Sequence, residues 1–193
     1  MRRIGFALAA AALTLLAACG TAAPEPVAYQ PPGPPRADAT FNATDVMFLQ
    51  MMVTHHTQGL EMVKLARTRQ TSEEVAMLAG AIEVTQTTEL EVMRGWLNSW
   101  GEPVSAGHDP NAHASHGGLP ITGADEMAAL RAATGARFQT TFLNLLIGHQ
   151  HNAVEMARTE TDGGANPQVK DLANRITLSR DEQIKQMLAL VAA

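Results

Sequence analysis

The chain has 193 residues, enough for one domain with extensions, and a formal charge of −5. An acidic composition with only 4% aromatic residues lacks the basic face that nucleic acid requires and mildly favours cations near the surface. The single cysteine, Cys19, excludes an internal disulfide.

At the N-terminus, Arg2 and Arg3 precede an apolar run from Ile4 to Leu16, followed by Leu16-Ala17-Ala18-Cys19. The run is too short to span a membrane comfortably and reads as an export signal. Its ending resembles a bacterial lipoprotein signal, which implies cleavage before Cys19 and lipidation of that thiol. Pro24, Pro26, Pro31, Pro32, Pro34 and Pro35 then make an extended tether. The expected organisation is a signal at 1–18, a lipid-anchored Pro-rich linker at 19–40 and a folded domain at 41–193. The domain is expected outside the cytoplasm, in the periplasm or at the cell surface, with the membrane as partner through its lipid.

The folded part is written twice. FLQMMVTHHTQGLEM at 48–62 returns as FLNLLIGHQHNAVEM at 142–156, so that Phe48 matches Phe142 and His55 matches His149. The register continues through Val75/Val169, Ile82/Ile176 and Met93/Met187. Repetition of this kind fixes the architecture before any local reading. Repeat one covers about 44–100 and repeat two about 137–193.

The first helix is predicted from Asn42–Asp45 to Thr68, with Phe48, Met52, His55, Gly59, Met62 and Ala66 on one stripe and His56 at its edge. The second starts at Thr71 or Ser72, where Thr71-x-x-Glu74 spells a capping box, and stops before Gly101. Its stripe contains Gln86 and Glu89 among apolar residues. Residues 101–123 read as an irregular crossing, and a short helix is predicted at 124–134. A third long helix spans about 137–161, with His149 inward and His151 towards solvent. The fourth opens at Asn166-Pro167 and carries Val169, Ala173, Ile176, Arg180, Gln183 and Met187 inward. Two similar hairpins of amphipathic helices predict an all-α four-helix bundle.

Chemistry in such a bundle comes from side chains on facing helices. His55 and His149 hold matching interior positions, and buried polar groups must find partners. One answer is a metal. Imidazole suits copper, zinc, iron and nickel, thioether selects Cu(I), and Met52 lies one turn before both His55 and His56. The candidate metal-holding set is therefore Met52, His55, His56, Glu89 and His149, supported by Gln86, Arg180, Gln183, Met62 and Met93. Copper is favoured over a di-iron centre, because no Glu-x-x-His pair occurs on these helices. The other answer is an ion pair between Arg180 and Glu89 inside a metal-free network, since a guanidinium cannot ligate. In the second copy Gln150, Arg180 and Gln183 replace His56, Gln86 and Glu89, so any centre is expected to be asymmetric. His108, His113 and His116 in the crossing form a second candidate metal tract.

These residues carry a resemblance. Phe48, Met52, His55, His56 and Met62, followed by Leu78, Ala79, Ile82, Gln86, Glu89 and Met93, resemble the repeat of the secreted bacterial family called domain of unknown function 305. The resemblance spans about 44–193 and implies a ferritin-like bundle of two duplicated helix hairpins. It also implies copper binding through Met and His in some members. No nucleophile motif, phosphate loop or zinc-protease helix is present. A binding protein for copper buffering, storage or tolerance is thus expected ahead of an enzyme. A structural or interaction bundle is the second expectation and a metal-dependent redox enzyme the third. The sequence names no protein partner, and self-association is compatible with it.

Overall fold

Helix starts are set by side chains that take up free backbone N–H groups. In the computed structural model, which describes residues 37–105 and 121–192, α1 runs Ala43–Thr68 behind Asn42. The Asn42 Oδ1 accepts from Thr44 and Asp45 N–H, and Asp45 Oδ2 accepts from Asn42 N–H at 2.7 Å, a complete capping box. Ser72, not Thr71, caps α2 (Glu73–Trp100), and Gly101 closes it at φ 75°, where only glycine sits without strain. The short α3 is Ala124–Ala132. Gly135, at φ 56°, opens α4 (Gly135–Gly163), two residues earlier than the periodicity indicates. Asn166 Oδ1 accepts from Gln168 and Val169 N–H and starts α5 (Pro167–Ala192), with proline in the first helical position.

Among the described residues all regular secondary structure is helical, and none of the helices is long and apolar enough to cross a membrane. The export signal, Cys19, nearly all of the linker and the tract His108–His116 lie outside the described residues. Helix α1 packs on α2 and on α4, and α4 packs on α5. The apolar core comes in two parts. One contains Phe48 to Val53, Leu90 to Leu97, Ala153 to Ala157 and Val169 to Ile176. The other contains Met62 to Ala66, Val75 to Ile82, Phe138 to Leu146, Ile184 and Met187, with Met127 and Leu130 of α3. The order in which each helix visits the two parts gives its direction. Helices α2 and α4 run opposite to α1, and α5 runs with it.

Between the two apolar parts every long helix contributes polar residues at the same height. They are His55 and His56 on α1, Gln86 and Glu89 on α2, His149 and Gln150 on α4, and Arg180 on α5, all buried. A core divided by such a layer must satisfy it, because unpaired buried polar groups cost about 1–3 kcal/mol each.

One further buried acid pair ties α1 to the α4–α5 turn. Asp45 accepts from Asn42, Ala165 and Asn166 N–H. Burial acts to raise its carboxyl, but these bonds and the neighbouring Glu160 hold it below the usual range. Glu160 is pushed up to about 9 by burial, then by a hydrogen bond to Asp45 and by its charge. A protonated Glu160 can donate to the Asp45 carboxylate beside it, which gives both acids a partner. The native chain then holds a proton that the unfolded chain releases above about pH 4.5. Stability from this group is full below that value and falls until the native carboxyl ionises near 9. Glu160→Gln keeps a donor for Asp45 without the acid. Its urea midpoint is expected to decline less than the wild type's across that window; parallel pH profiles would remove Glu160 from the account.

Candidate metal centre

Helix α1 buries two faces because it packs against both α2 and α4. His55 lies on the α4 side. Its ring stacks on that of His149 with centroids 3.6 Å apart and planes 14° from parallel. His56 lies on the α2 side, fully buried rather than at the helix edge, with Nε2 2.6 Å from Glu89 Oε2. The expectation of an edge position assumed one buried stripe, and the second contact face overturns it.

Each of these three imidazoles has one nitrogen engaged and the other without a partner. His55 Nε2 lies 3.0 Å from the His149 carbonyl oxygen, which can only accept, so Nε2 carries the proton and Nδ1 is bare. His56 Nε2 donates to the Glu89 carboxylate, and its Nδ1 is bare. His149 Nδ1 meets the Thr122 hydroxyl at 3.3 Å, and its Nε2 has no partner. Burial holds the His55 ring well below the usual imidazole range, helped by its neighbours His149 and His56. Burial likewise lowers His149 to about 3 and lowers His56 against the pull of Glu89. All three rings are neutral at pH 7, so their lone pairs do not compete with protons.

The charges in the layer are those of Glu89 and Arg180. Arg180, fully buried, donates from Nη2 to Glu89 Oε2, the oxygen that also receives His56. Its Nη2 is 3.1 Å from His56 Nε2, so two donors share one carboxylate oxygen. Burial acts to raise the Glu89 carboxyl, but the hydrogen bond from His56 and the charge of Arg180 outweigh it, leaving Glu89 ionised. The expected Arg180–Glu89 pair is therefore present.

The second copy repeats this bond without charge. Gln150 Nε2 donates to Gln183 Oε1, the counterpart of His56 to Glu89 at the same 33-residue spacing. Gln183 is half-buried and also donates to Ser179. Gln86, the counterpart of Arg180, leaves both atoms of its amide unpartnered. Gly59 explains the space around it. A Cβ there would stand 2.5 Å from Gln86 Oε1 and 2.9 Å from His149 Nε2, so the glycine keeps open the place where bare imidazole and bare amide face α1.

Thioethers surround the layer. Met52 and Met93 are fully buried in the first apolar part, Met62 in the second, and Met62 Sδ accepts from the Thr122 hydroxyl at 3.9 Å. Among the described residues, no three His, Cys, Asp or Glu side chains come together as a metal cage. That donor set is poor for zinc or iron, which want several nitrogen and oxygen ligands, and matches a soft monovalent ion held by few imidazoles with thioether help. Sequence reasoning missed Thr122 and Gln58, which lie off the helical stripe. Gly59 on the buried stripe was the available signal, since glycine inside a helix marks close approach.

A family profile described as Domain of unknown function (DUF305) matches residues 45–191. Among solved structures, the chain is similar to a DUF305 fragment from Deinococcus radiodurans at 27% identity and TM-score 0.69, covering 82% of this chain and 99% of that one. A DUF305 protein from Streptomyces coelicolor is similar at 29% identity and TM-score 0.70, with 77% and 91% covered. CopM in its Cu(I)-bound form is similar at 26% identity and TM-score 0.62, with 77% and 96% covered. CopM also has Cu(II)-bound, silver-bound and metal-free structures. No curated protein matches the chain.

Proposed function

The chain belongs to the DUF305 family, and we propose that it binds Cu(I) in its polar layer as an extracytoplasmic buffer, store or tolerance factor. The observation that carries this reading is the set of buried, neutral imidazoles, each oriented through one nitrogen and bare at the other. Orienting bonds to the second ring nitrogen are the usual support for metal-holding histidines. His55 Nδ1 and His149 Nε2, with one thioether, that of Met52 or that of Met62, are the groups that would hold the ion. His56 Nδ1 is bare as well, but its ring sits on the Glu89 side, 6.2 Å from that of His55, and is not counted among these groups. Glu89 is committed to Arg180 and His56, so its role is to orient His56 and to balance the guanidinium.

The same reading takes the helix order as a ferritin-like arrangement of two hairpins joined by a long crossing, α1–α2 and α4–α5. It keeps the export signal at 1–18, the tether at 19–40 and a lipid on Cys19; export alone is supported by likeness to a Streptomyces coelicolor protein described as secreted. The metal-free network is favoured by one observation, the Arg180–Glu89–His56 contact. That contact accounts for one side of the layer and leaves Gln86, His55 Nδ1 and His149 Nε2 without partners.

Gly59→Ala tests the site. Alanine favours a helix interior by up to about 1 kcal/mol over glycine, but its Cβ would meet the Gln86 amide at 2.5 Å and the stacked His149 ring at 2.9 Å, so a net loss of about 1–2 kcal/mol is expected. The fold is expected to be kept with a modestly lower melting temperature, while Cu(I) uptake against a competing chelator falls by at least about tenfold. Undiminished uptake by the folded variant would move the ion away from this space.

A further inference from the structure

Thr122 lies just before α3 and belongs to neither copy of the repeat, yet it touches both sides of the layer's second half. Its main chain is held in both directions by one side chain. Gln58 Nε2 donates to Thr122 O at 2.8 Å, and Thr122 N–H donates to Gln58 Oε1 at 2.7 Å. This pairing fixes where the hydroxyl points. Thr122 Oγ1 donates to Met62 Sδ at 3.9 Å and lies 3.3 Å from His149 Nδ1.

A hydroxyl has one proton and two lone pairs. A thioether has no proton to give, so the one arrangement that satisfies both contacts gives the hydroxyl proton to Met62 Sδ and leaves the oxygen to accept from His149 Nδ1. A neutral imidazole has a single N–H, so Nε2 is left as a bare lone pair facing the Gln86 amide beside Gly59.

We propose that Thr122 is a positioning residue that locks His149 into its Nδ1–H tautomer, readying Nε2 to take a soft monovalent metal ion. The chain of donation runs from His149 Nδ1 to Thr122 Oγ1 to Met62 Sδ. Thr122 thereby does for His149 what the His149 carbonyl does for His55 and Glu89 does for His56. The competing arrangement places the proton on Nε2, aimed at Gln86 Oε1, and turns the hydroxyl proton from Met62 Sδ to Nδ1, which would deny the ion its donor. The functional half of this inference rests on the Cu(I) reading; the tautomer itself does not.

The experiment uses the full-length, metal-free protein with 15N-labelled histidine. Long-range proton–nitrogen spectra at neutral pH distinguish the two tautomers of each ring. The wild type is expected to show His149 protonated at Nδ1. Thr122→Val, which removes only the hydroxyl, is expected to shift His149 towards the Nε2–H form and to weaken Cu(I) binding by about ten- to a hundredfold. Thr122→Ser is expected to restore both. An Nε2–H ring in the wild type, or a tautomer that ignores Thr122→Val, overturns the lock whether or not metal binds. A tautomer that switches while Cu(I) affinity stays level overturns the positioning role. A wild type with the Nδ1–H ring that takes up no Cu(I) leaves the lock standing and sinks the metal reading.

Discussion

Arg180→Ala is expected to lower the free energy of unfolding by about 3–5 kcal/mol, the loss typical of breaking a buried ion pair from one side. Arg180 is fully buried, and Glu89 Oε2 takes bonds from both Arg180 and His56. Without the guanidinium, an interior carboxylate faces only a neutral imidazole. Glu89 is then expected to take up a proton at higher pH than it does in the wild type. Replacing both partners by uncharged groups of similar shape removes the buried charge altogether. Arg180→Met combined with Glu89→Gln is therefore expected to recover most of the loss, and urea unfolding of the single and double variants measures both. A single-variant loss below about 1 kcal/mol is what a screened surface pair gives, and it would contradict the interior placement of the pair.

His149→Ala is expected to weaken Cu(I) binding in the layer by more than about a hundredfold, beyond the range found for residues that merely support a ligand. Two donors are affected by this change. The Nε2 lone pair disappears, and the ring that stacks on His55 at 3.6 Å no longer holds that imidazole in place. His151, two residues on and exposed, supplies the control, since its removal leaves the interior unchanged. Competition titration against a Cu(I) chelator reads the difference. Uptake that survives His149→Ala but disappears when His108, His113 and His116 are replaced would assign copper to the crossing.

The architecture was legible because the repeat keeps the apolar positions in register over both hairpins, from Phe48/Phe142 to Met93/Met187. The same register pairs His55 with His149, and their rings meet. Arg180 could be matched to Glu89 from charge alone, as the cation available to a buried carboxylate. His56 could not be placed by a helical wheel with one apolar stripe, because α1 lies between two neighbours and buries residues about 100° apart. Of the two caps offered for α2, Ser72 is the one used, and α4 starts two residues early because glycine at a left-handed φ opens it. Thr122 was hidden because its role depends on where a connection passes, which no periodicity encodes. Glu160 and Asp45 were hidden likewise, since each is ordinary on its own helix and they meet only in the folded chain.

The division of labour within the layer follows from how the two copies diverged. The first copy, with His56 and Glu89, draws in Arg180 from the second and becomes an ion pair that fixes the helices relative to one another. The second copy, with Gln150 and Gln183, keeps the hydrogen bond and loses the charge. The neutral side has bare donors and the space at Gly59. An ion carrying a single positive charge is easier to bury there than a divalent one, since the charge cost of burial is smaller and Glu89 lies in the same layer.

The most direct measurement is histidine-ring 15N NMR during titration of the full-length protein with Ag(I), a diamagnetic ion of the same charge and similar softness to Cu(I). The account predicts that His149 Nε2 and His55 Nδ1 shift first and together, while the nitrogens bonded to Thr122 and to the His149 carbonyl keep their protons. First shifts at His151 or in the crossing, with the two stacked rings unmoved at stoichiometric silver, would contradict it.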